Sequence, residues 1–309
     1  MGAGAMGSVV GGMMARAGHT VTLVGRAAHL NAIARDGLHI TGIWGDHVVR
    51  ELIGHTSAQS LDRGAFDVVF LTVKSFDTEA AMRDIAPLAD AKTLVYAYQN
   101  GLGNAETIAK FVGWERTVGV RAIYGVLCPQ PGAANVTVIA NPTALGVYAE
   151  SAPRDRVKAL ALAMDAAGLP TVYTDAIQTV LWSKVTYNCA LNPLSALLNV
   201  PYGGLLETEH TRSLLREIVY EVYAIADATK VPLEPQTAEA YVAHLFDDLI
   251  PPTAAHFASM HEDLMRGRRT EIDALNGAIC RLGRENGIAC PANSFLTRLI
   301  KAREHVVGA

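Results

Sequence analysis

The chain has 309 residues, half of them hydrophobic, and a formal net charge of −4. This composition excludes a disordered chain, and the length favours two domains. It has no basic block and no apolar run long enough to cross a bilayer, so we expect neither a nucleic-acid partner nor a membrane span. Its four cysteines lack metal-ligand spacing and no signal-peptide pattern is visible, so we expect a cytoplasmic protein with reduced thiols and no metal.

The first element in the chain is a glycine-rich turn. "MGAGAMGS" contains Gly2, Gly4 and Gly7, followed by the helix-like "SVVGGMMARAG" and the strand-like "TVTLV". In a dinucleotide site, the first glycine forms a tight turn, the second admits the pyrophosphate, and the third lets helix and strand approach closely. We therefore predict that these three glycines bind a cofactor at a helix N-terminus. Because such a turn normally follows a strand, we expect a strand of about five residues upstream of Met1 in the natural chain.

A basic residue follows the strand-like "TVTLV", at the position that selects the cofactor. NAD-binding proteins usually have an acidic residue there for the ribose 2′-hydroxyl, but this chain has Arg26. An arginine pairs with a 2′-phosphate, so Arg26 favours NADP(H). The alternative is a solvated loop arginine.

Two further polar residues follow strand-like segments. Lys74 comes after "FDVVFLTV", and Asn100 comes after "KTLVYAYQ". Ligands bind at the carboxyl ends of strands in open α/β sheets, so we predict that both residues contact a cofactor or substrate. The alternatives are a surface lysine and a plain Asn-Gly turn.

The chain changes character near residue 175. Strand-like and helix-like segments alternate before that point, which predicts a parallel sheet. Segment 116–150 is β-rich and is predicted to meander at the edge of the sheet, whereas helical patterns continue from residue 176 nearly to the end. The predicted fold is therefore α/β, with an N-terminal Rossmann-type parallel-sheet domain over residues 1–175 and a C-terminal all-α domain over residues 176–309.

The first helix of the second domain has an unusual polar face. "QTVLWSKVTYNCALNPLSALLN" is mostly apolar, yet it carries Lys184, Asn188 and Asn192 at four-residue steps. These positions share one broad helix face, and burying an unpaired ammonium is costly. The pattern favours a polar site for an oxo-acid, and the alternative is a snorkelling lysine beside solvated amides. Pro193 is expected to kink the helix at Asn192.

Ser259 and Glu271 complete the set of candidate polar residues. They are 12 positions apart, about 18 Å along a straight helix, so one small site can contain both only if the chain breaks between them. We expect this break at Gly267. "TEID" is then expected to restart a helix, with Thr270 as its N-cap and Asp273 in a capping-box-like pair.

Taken together, these motifs resemble the ketopantoate reductases. "GAGAMG", "LTVK", "QNGLGN", "LWSKVTYNCALNPLSALLN" and "RRTEIDALNG" occur in that family's order over the whole chain. The resemblance implies reduction of ketopantoate (2-dehydropantoate) to pantoate with NADPH, in pantothenate and coenzyme A biosynthesis. It implies these catalytic residues: Lys184 and Glu271. It implies these substrate-binding residues: Asn100, Asn188, Asn192 and Ser259. It implies these cofactor-binding residues: Gly2, Gly4, Gly7, Arg26, Lys74 and Asn100.

Other functions are compatible with parts of this pattern. The nearest alternative is an NADPH-dependent reductase of another branched or aromatic 2-oxo acid. A lysine-dependent β-hydroxyacid dehydrogenase is more distant, because Arg26 and "TEID" count against it. A non-catalytic NADP-binding sensor is also more distant, since the pair of Lys184 and Glu271 argues for chemistry. The expected partner is a small 2-oxo acid, and the helical domain offers a candidate homodimer surface.

Overall fold

The computed structural model describes residues 1–309, which divide into two compact units. The α/β unit comprises Met1–Gln99 and Asn104–Ile177. The helical unit comprises Asn100–Gly103 and Gln178–Ala309. The short segment Asn100–Gly103 therefore belongs by its contacts to the helical unit.

The α/β unit contains five α-helices and nine strands. The helices are α1 (Ala5–Arg16), α2 (Ala27–Asp36), α3 (Thr78–Ile85), α4 (Asn104–Val112) and α5 (Arg154–Ala166). The strands are β1 (Thr22–Val24), β2 (Leu38–Gly42), β3 (His47–Val49), β4 (Ile53–His55), β5 (Val68–Leu71), β6 (Leu94–Ala97), β7 (Thr117–Leu127), β8 (Ala133–Val147) and β9 (Thr171–Tyr173).

The strands form one large sheet and one small sheet. The large sheet has the order β3-β2-β8-β7-β6-β5, with β9 also paired to β8, while β1 and β4 form a parallel pair. The Gly2 N–H donates to the Val24 carbonyl at 2.9 Å, and the Thr72 N–H donates to the Met1 carbonyl at 2.9 Å. Because Val24 ends β1 and Thr72 follows β5, these bonds place the glycine-rich turn at the carboxyl ends of both strands.

Helices cover both faces of the large sheet. Alternate residues of β6 point to opposite faces, as strand geometry requires. Leu94 and Tyr96 join the core beneath α1 and α5. Val95 and Ala97 join the core beneath α3 and α4. A sheet buried on both sides by helices is the Rossmann-type arrangement, so the predicted α/β class is confirmed.

The position of one predicted segment is wrong. The residues of segment 116–150 form β7 and β8, which lie inside the sheet rather than at its edge. The cause is the length of β8, which has 15 residues and pairs in parallel with β2 near its start and with β9 near its end. On its other side β7 pairs in parallel with β6, so both long strands have neighbours.

The helical unit contains six α-helices and no strand. They are α6 (Ile177–Leu198), α7 (Glu209–Ala228), α8 (Ala238–His244), α9 (Ser259–Met265), α10 (Asn276–Asn286) and α11 (Pro291–Val307). Apolar residues of these helices form one contiguous core. No helix of the protein has both the length and the apolar character required to cross a membrane.

Helix α6 continues through Pro193 rather than ending there. A proline has no N–H, so the carbonyl four residues earlier, that of Cys189, loses its usual helical donor. The Nδ2 group of Asn276 donates to this carbonyl at 3.0 Å and to Asn293 Oδ1 at 2.9 Å. A side chain from α10 therefore supplies the bond that Pro193 cannot make.

Candidate active site

The three positions of the turn require glycine for different reasons. A Cβ on Gly2 would lie 2.6 Å from the Val73 nitrogen, and one on Gly7 would lie 2.5 Å from Thr72 Oγ1. The protein's own packing thus requires these two glycines. A Cβ on Gly4 would meet only the Gly2 carbonyl oxygen, at 4.0 Å. Packing does not explain Gly4, whereas a ligand that approaches the backbone closely does.

The N-terminus of α1 is suited to an anion. Gly4 is its N-cap residue, and no side chain caps the helix. The first N–H groups of an α-helix have no intrahelical acceptors, and the helix dipole is positive at this end. A pyrophosphate group at this position would satisfy those donors, so the residues present fit a dinucleotide.

Arg26 lies at the start of a second helix. It is exposed, is the N-cap residue of α2, and has no acidic residue in the first turn after it. A guanidinium at a helix N-terminus adds positive charge to the positive end of the dipole. A bound anion such as a 2′-phosphate would compensate both, and Arg26 fits that group.

His29 links the two helices that carry these groups. Its Nδ1 accepts a hydrogen bond from the Gly132 N–H at 3.0 Å, so its Nε2 carries the proton and donates to Ser8 Oγ at 2.8 Å. Burial, and secondly the positive charge of Arg26, lower the pKa of His29. The neutral ring fixes α1 relative to α2 and thereby the cofactor side of the unit.

Lys74 lies three positions after the end of β5 and is the N-cap residue of a short 3₁₀ turn, Ser75–Asp77. Its side chain is half-buried. The glycine-rich turn also lies at the carboxyl end of β5, so Lys74 shares this sheet edge with it. The structure therefore places the predicted cofactor residues of the α/β unit at the carboxyl ends of β1 and β5.

In the helical unit, Asn100 connects a lysine with a glutamate. Lys184 Nζ donates to Asn100 Oδ1 at 2.6 Å, and Asn100 Nδ2 donates to Glu271 Oε2 at 3.3 Å. The ammonium is only a donor and the carboxylate is only an acceptor, so the two bonds fix the orientation of the amide. Residues distant in the sequence thus form one Lys184–Asn100–Glu271 network.

A backbone contact holds this network together. The Leu102 N–H donates to the Ala274 carbonyl at 2.8 Å, which joins the loop of Asn100 to the segment of Glu271. Gly101 has φ +87°, and a Cβ there would lie 2.4 Å from the Ala274 carbonyl oxygen. Only glycine therefore permits this close approach.

A narrow pocket lies beside the network. Its lining comprises Asn100, Asn192, Ser259, Met260, Asp263, Glu271 and Leu275. Four predicted site residues are therefore brought together, and Lys184 joins them through its bond to Asn100. Asn188 is half-buried but is not part of the lining.

The predicted break between Ser259 and Glu271 is confirmed, but the helix start after it is wrong. Helix α9 ends at Met265, and Gly267 has φ +58°. Thr270 Oγ1 accepts from the Ile272 N–H at 3.3 Å, which caps only a 3₁₀ turn, Ile272–Ala274. Leu275 then has φ −101° and ψ −107°, which is not helical and delays α10 to Asn276.

Asp273 does not form the predicted capping pair. Its carboxylate makes an ion pair with Lys301 at 2.6 Å and with Arg269 at 3.4 Å. Its role is therefore to join the 3₁₀ turn to α11 through charge.

Asp263 is a pocket residue that sequence reasoning missed. The residue is 5% exposed, and its carboxylate forms an ion pair with Arg268 at 3.1 Å. It follows Ser259 by four positions in α9, so both lie on one face of that helix. That spacing is the signal by which the sequence could have identified it.

An open glycine turn at a helix N-terminus and a lysine hydrogen-bonded to the pocket residue Asn100 are features typical of a nicotinamide-dependent oxidoreductase. The profile described as Ketopantoate reductase PanE/ApbA matches residues 1–150, and the profile of that family's C-terminal domain matches residues 176–304. The chain belongs to the ketopantoate reductase family, which confirms the resemblance of the motifs.

Individual relatives are similar over their full length. The 2-dehydropantoate 2-reductase of Aquifex aeolicus (strain VF5) is 35% identical over 306 residues, which cover 98% of this chain and 96% of that protein. The crystal structure of a PanE/ApbA family ketopantoate reductase from Ralstonia eutropha JMP134 has a TM-score of 0.89 at 32% identity and covers 100% of this chain and 98% of its own. A D-mandelate dehydrogenase in ternary complex with NADH and anilino(oxo)acetate has a TM-score of 0.88 at 28% identity, with the same coverage.

Proposed function

We propose that this protein reduces 2-dehydropantoate to pantoate with NADPH, as a step of pantothenate and coenzyme A biosynthesis. The observation that carries the proposal is the Lys184–Asn100–Glu271 network beside a pocket whose lining includes two amides and a hydroxyl. Such a pocket offers donors to a carboxylate and a hydroxyl, and the lysine offers a proton. The relatives named 2-dehydropantoate 2-reductase support the same substrate.

The cofactor residues have separate tasks in this proposal. Gly4 and the N–H groups of α1 would hold the pyrophosphate, Arg26 would bind the 2′-phosphate, and Lys74 and Asn100 would contact the remainder of the cofactor. Gly2 and Gly7 shape the turn. When bound, NADPH supplies the hydride that reduces C2 of the substrate.

The chain's own residues supply the proton and the orientation. Lys184 donates a hydrogen bond to the C2 carbonyl oxygen and transfers its proton as that oxygen gains negative charge. Asn100 fixes the direction of the ammonium by accepting its hydrogen bond, and Glu271 in turn fixes the Asn100 amide by accepting from its Nδ2 group. One hydride at carbon and one proton at oxygen convert the ketone to the alcohol.

The remaining polar residues bind the substrate in this proposal. Asn192 and Ser259 line the pocket, and Asn188 lies one turn before Asn192 on α6. The side chains of Asn188 and Ser259 make no hydrogen bond within the protein, so both are available to a ligand. Together with Asn192, they would hold the carboxylate and the hydroxyl of the substrate.

Product identification tests the proposal directly. Purified protein is mixed with 2-dehydropantoate and NADPH, NADPH loss is followed by absorbance, and the product is identified by mass spectrometry. We expect one pantoate for each NADPH consumed. Failure to form pantoate at enzyme concentrations that permit single turnover would exclude the assignment.

Reduction of an aromatic 2-oxo acid is the second candidate. Its support is the structural likeness to a D-mandelate dehydrogenase solved with NADH and an aryl oxo-acid. Met260 and Leu275 also give the pocket an apolar part. A basic N-cap at Arg26 without an acidic residue in the first turn argues for NADPH in this chain instead.

The proposed setting is the cytoplasm, with a small-molecule substrate and no nucleic acid. All four cysteines are unpaired. Burial raises the pKa of Cys290 to about 11, which keeps it an unreactive thiol. We further propose a homodimer formed through the helical unit, and sedimentation velocity at micromolar concentration distinguishes it from a monomer.

Replacing Arg26 with alanine is expected to weaken the binding of NADPH far more than the binding of NADH. A charge-assisted hydrogen bond to a phosphate contributes about 1.5–3 kcal/mol, or about 10- to 150-fold in KM for NADPH. Steady-state kinetics with each cofactor measures the change. Arg35→Ala is the matched control, because Arg35 lies on the same helix and pairs with Asp36. Equal use of both cofactors by the unmodified protein would contradict the role of Arg26.

Gly101→Ala is expected to lower kcat by about 10²-fold although it removes no functional group, because it displaces Asn100 from Glu271. The added Cβ would collide with the Ala274 carbonyl. Gly103→Ala is the control, since Gly103 has φ +94° but its Cβ would meet only Arg281 Nη2, at 3.3 Å. Steady-state kinetics and a thermal melt of each variant check this. Equal losses in both variants would mean that backbone strain, not the collision, causes the effect.

A further inference from the structure

The amide of Asn192 has a protein partner at one end only. Its Oδ1 accepts a hydrogen bond from the Tyr202 hydroxyl at 2.8 Å. Both residues are buried, with exposed fractions of 5% and 4%. Its Nδ2 group has no acceptor within the protein, yet Asn192 lines the pocket that contains Glu271 and Ser259. The Oδ1 atom of Asn192 therefore faces Tyr202, and its Nδ2 group is left to donate into the pocket.

The reversed amide would be costly. The two ends of an asparagine amide have nearly the same shape but opposite hydrogen-bonding character. If Asn192 were reversed, its Nδ2 would face Tyr202 and the hydroxyl proton would need another acceptor. The Tyr202 hydroxyl has no second acceptor in the structure, and a buried unpaired O–H is unfavourable. The hydroxyl thus selects one orientation of the amide.

The ring of Tyr202 is itself fixed. It packs edge-on against Tyr187, with centroids 5.7 Å apart, and against His256, with centroids 5.3 Å apart. Its backbone N–H donates to the His256 carbonyl at 3.0 Å. These contacts fix the orientation of the ring, and its hydroxyl group points toward Asn192.

We propose that Tyr202 is a positioning residue that fixes the Asn192 amide with its N–H group toward the pocket. The pocket then presents a donor to the carboxylate of a 2-oxo acid and excludes the orientation that would repel it. This inference rests on the proposed function, since the acid is the substrate assigned there. It concerns Tyr202, which is not itself a residue of the pocket lining.

Tyr202→Phe keeps the ring and removes only the hydroxyl. We expect KM for the 2-oxo acid to rise about five- to tenfold, the usual size of one hydrogen bond, with kcat within about twofold. Such a split is expected because the carboxylate is bound equally in the ground state and the transition state. Tyr187→Phe is the matched control: it removes a hydroxyl from the adjoining ring, which pairs with Thr253 at 3.0 Å, and KM should not change.

A double-mutant cycle separates positioning from general packing. As a single substitution, Tyr202→Phe should raise KM. In a protein that already carries Asn192→Ala, it should have no further effect on KM. Asn192→Asp is a second variant that does not depend on Tyr202→Phe folding well. It replaces the donor with a negative charge and should raise KM more than Asn192→Ala does.

The outcomes are distinct. An unchanged KM in Tyr202→Phe, an equal rise in both backgrounds, or an equal rise in Tyr187→Phe would overturn the role of Tyr202. A KM for Asn192→Asp no higher than that of Asn192→Ala would overturn the donor assignment. No turnover of any 2-oxo acid by the unmodified protein would instead refute the proposed function, and with it the carboxylate assigned to Asn192.

Discussion

Lys184→Ala is expected to lower kcat by about 10²–10⁴, the usual share of a positioned general acid, while the fold and NADPH binding stay nearly intact. The reason is that Lys184 supplies the proton in the proposed reaction and contacts Asn100 in the helical unit, whereas the glycine-rich turn lies in the α/β unit. Steady-state kinetics gives kcat. A fluorescence titration gives the dissociation constant of NADPH.

Ser183→Ala is the matched control for this variant. Ser183 precedes Lys184 on α6, and its hydroxyl donates to the Thr179 carbonyl of the same helix at 2.9 Å. We expect it to leave kcat nearly unchanged. Near-normal turnover by Lys184→Ala would refute the mechanism and return the lysine to the role of a snorkelling side chain.

Asn276→Ala is expected to cause the largest loss of stability, about 2–4 kcal/mol in the free energy of unfolding of the helical unit. The Nδ2 group of Asn276 donates hydrogen bonds to both the Cys189 carbonyl and Asn293 Oδ1, and Asn276 is fully buried. Its removal leaves two buried acceptors without a donor. Urea denaturation followed by circular dichroism measures the shift in midpoint.

Two comparisons test the physical reason for that loss. Asn286→Ala is the control on the same helix, because the exposed Asn286 bonds only to the Leu282 carbonyl within α10. Pro193→Ala restores an N–H opposite the Cys189 carbonyl, so Asn276→Ala should cost less in that background. Equal costs in both backgrounds would show that Asn276 does not compensate for the proline.

The parts of the fold that the sequence predicted depend on local patterns. The spacing of Gly2, Gly4 and Gly7 predicts the turn and a helix directly after it, and α1 is found at that position. Helical periodicity placed Lys184 and Asn192 on one face, and Gly267 ended a helix as its conformational freedom suggested. Each of these features follows from residues within a few turns of one another.

The parts that were missed depend on contacts between distant residues. Asn100 and Glu271 are 171 residues apart, and no local pattern indicates that the loop Asn100–Gly103 belongs with the helical unit. Likewise, only the folded chain shows that Asn276 serves Cys189, 87 residues away. The strands β2, β3 and β4 are short and contain histidine and glycine, so their periodicity was too weak to predict them.

The most direct measurement is kcat/KM of the unmodified protein for a panel of 2-oxo acids, each with NADPH and with NADH. The panel contains 2-dehydropantoate, branched-chain 2-oxo acids and phenylglyoxylate. The proposed function predicts the highest value for 2-dehydropantoate with NADPH. A higher value for phenylglyoxylate or for a branched 2-oxo acid, or a preference for NADH, would contradict it and move the assignment to that substrate and cofactor.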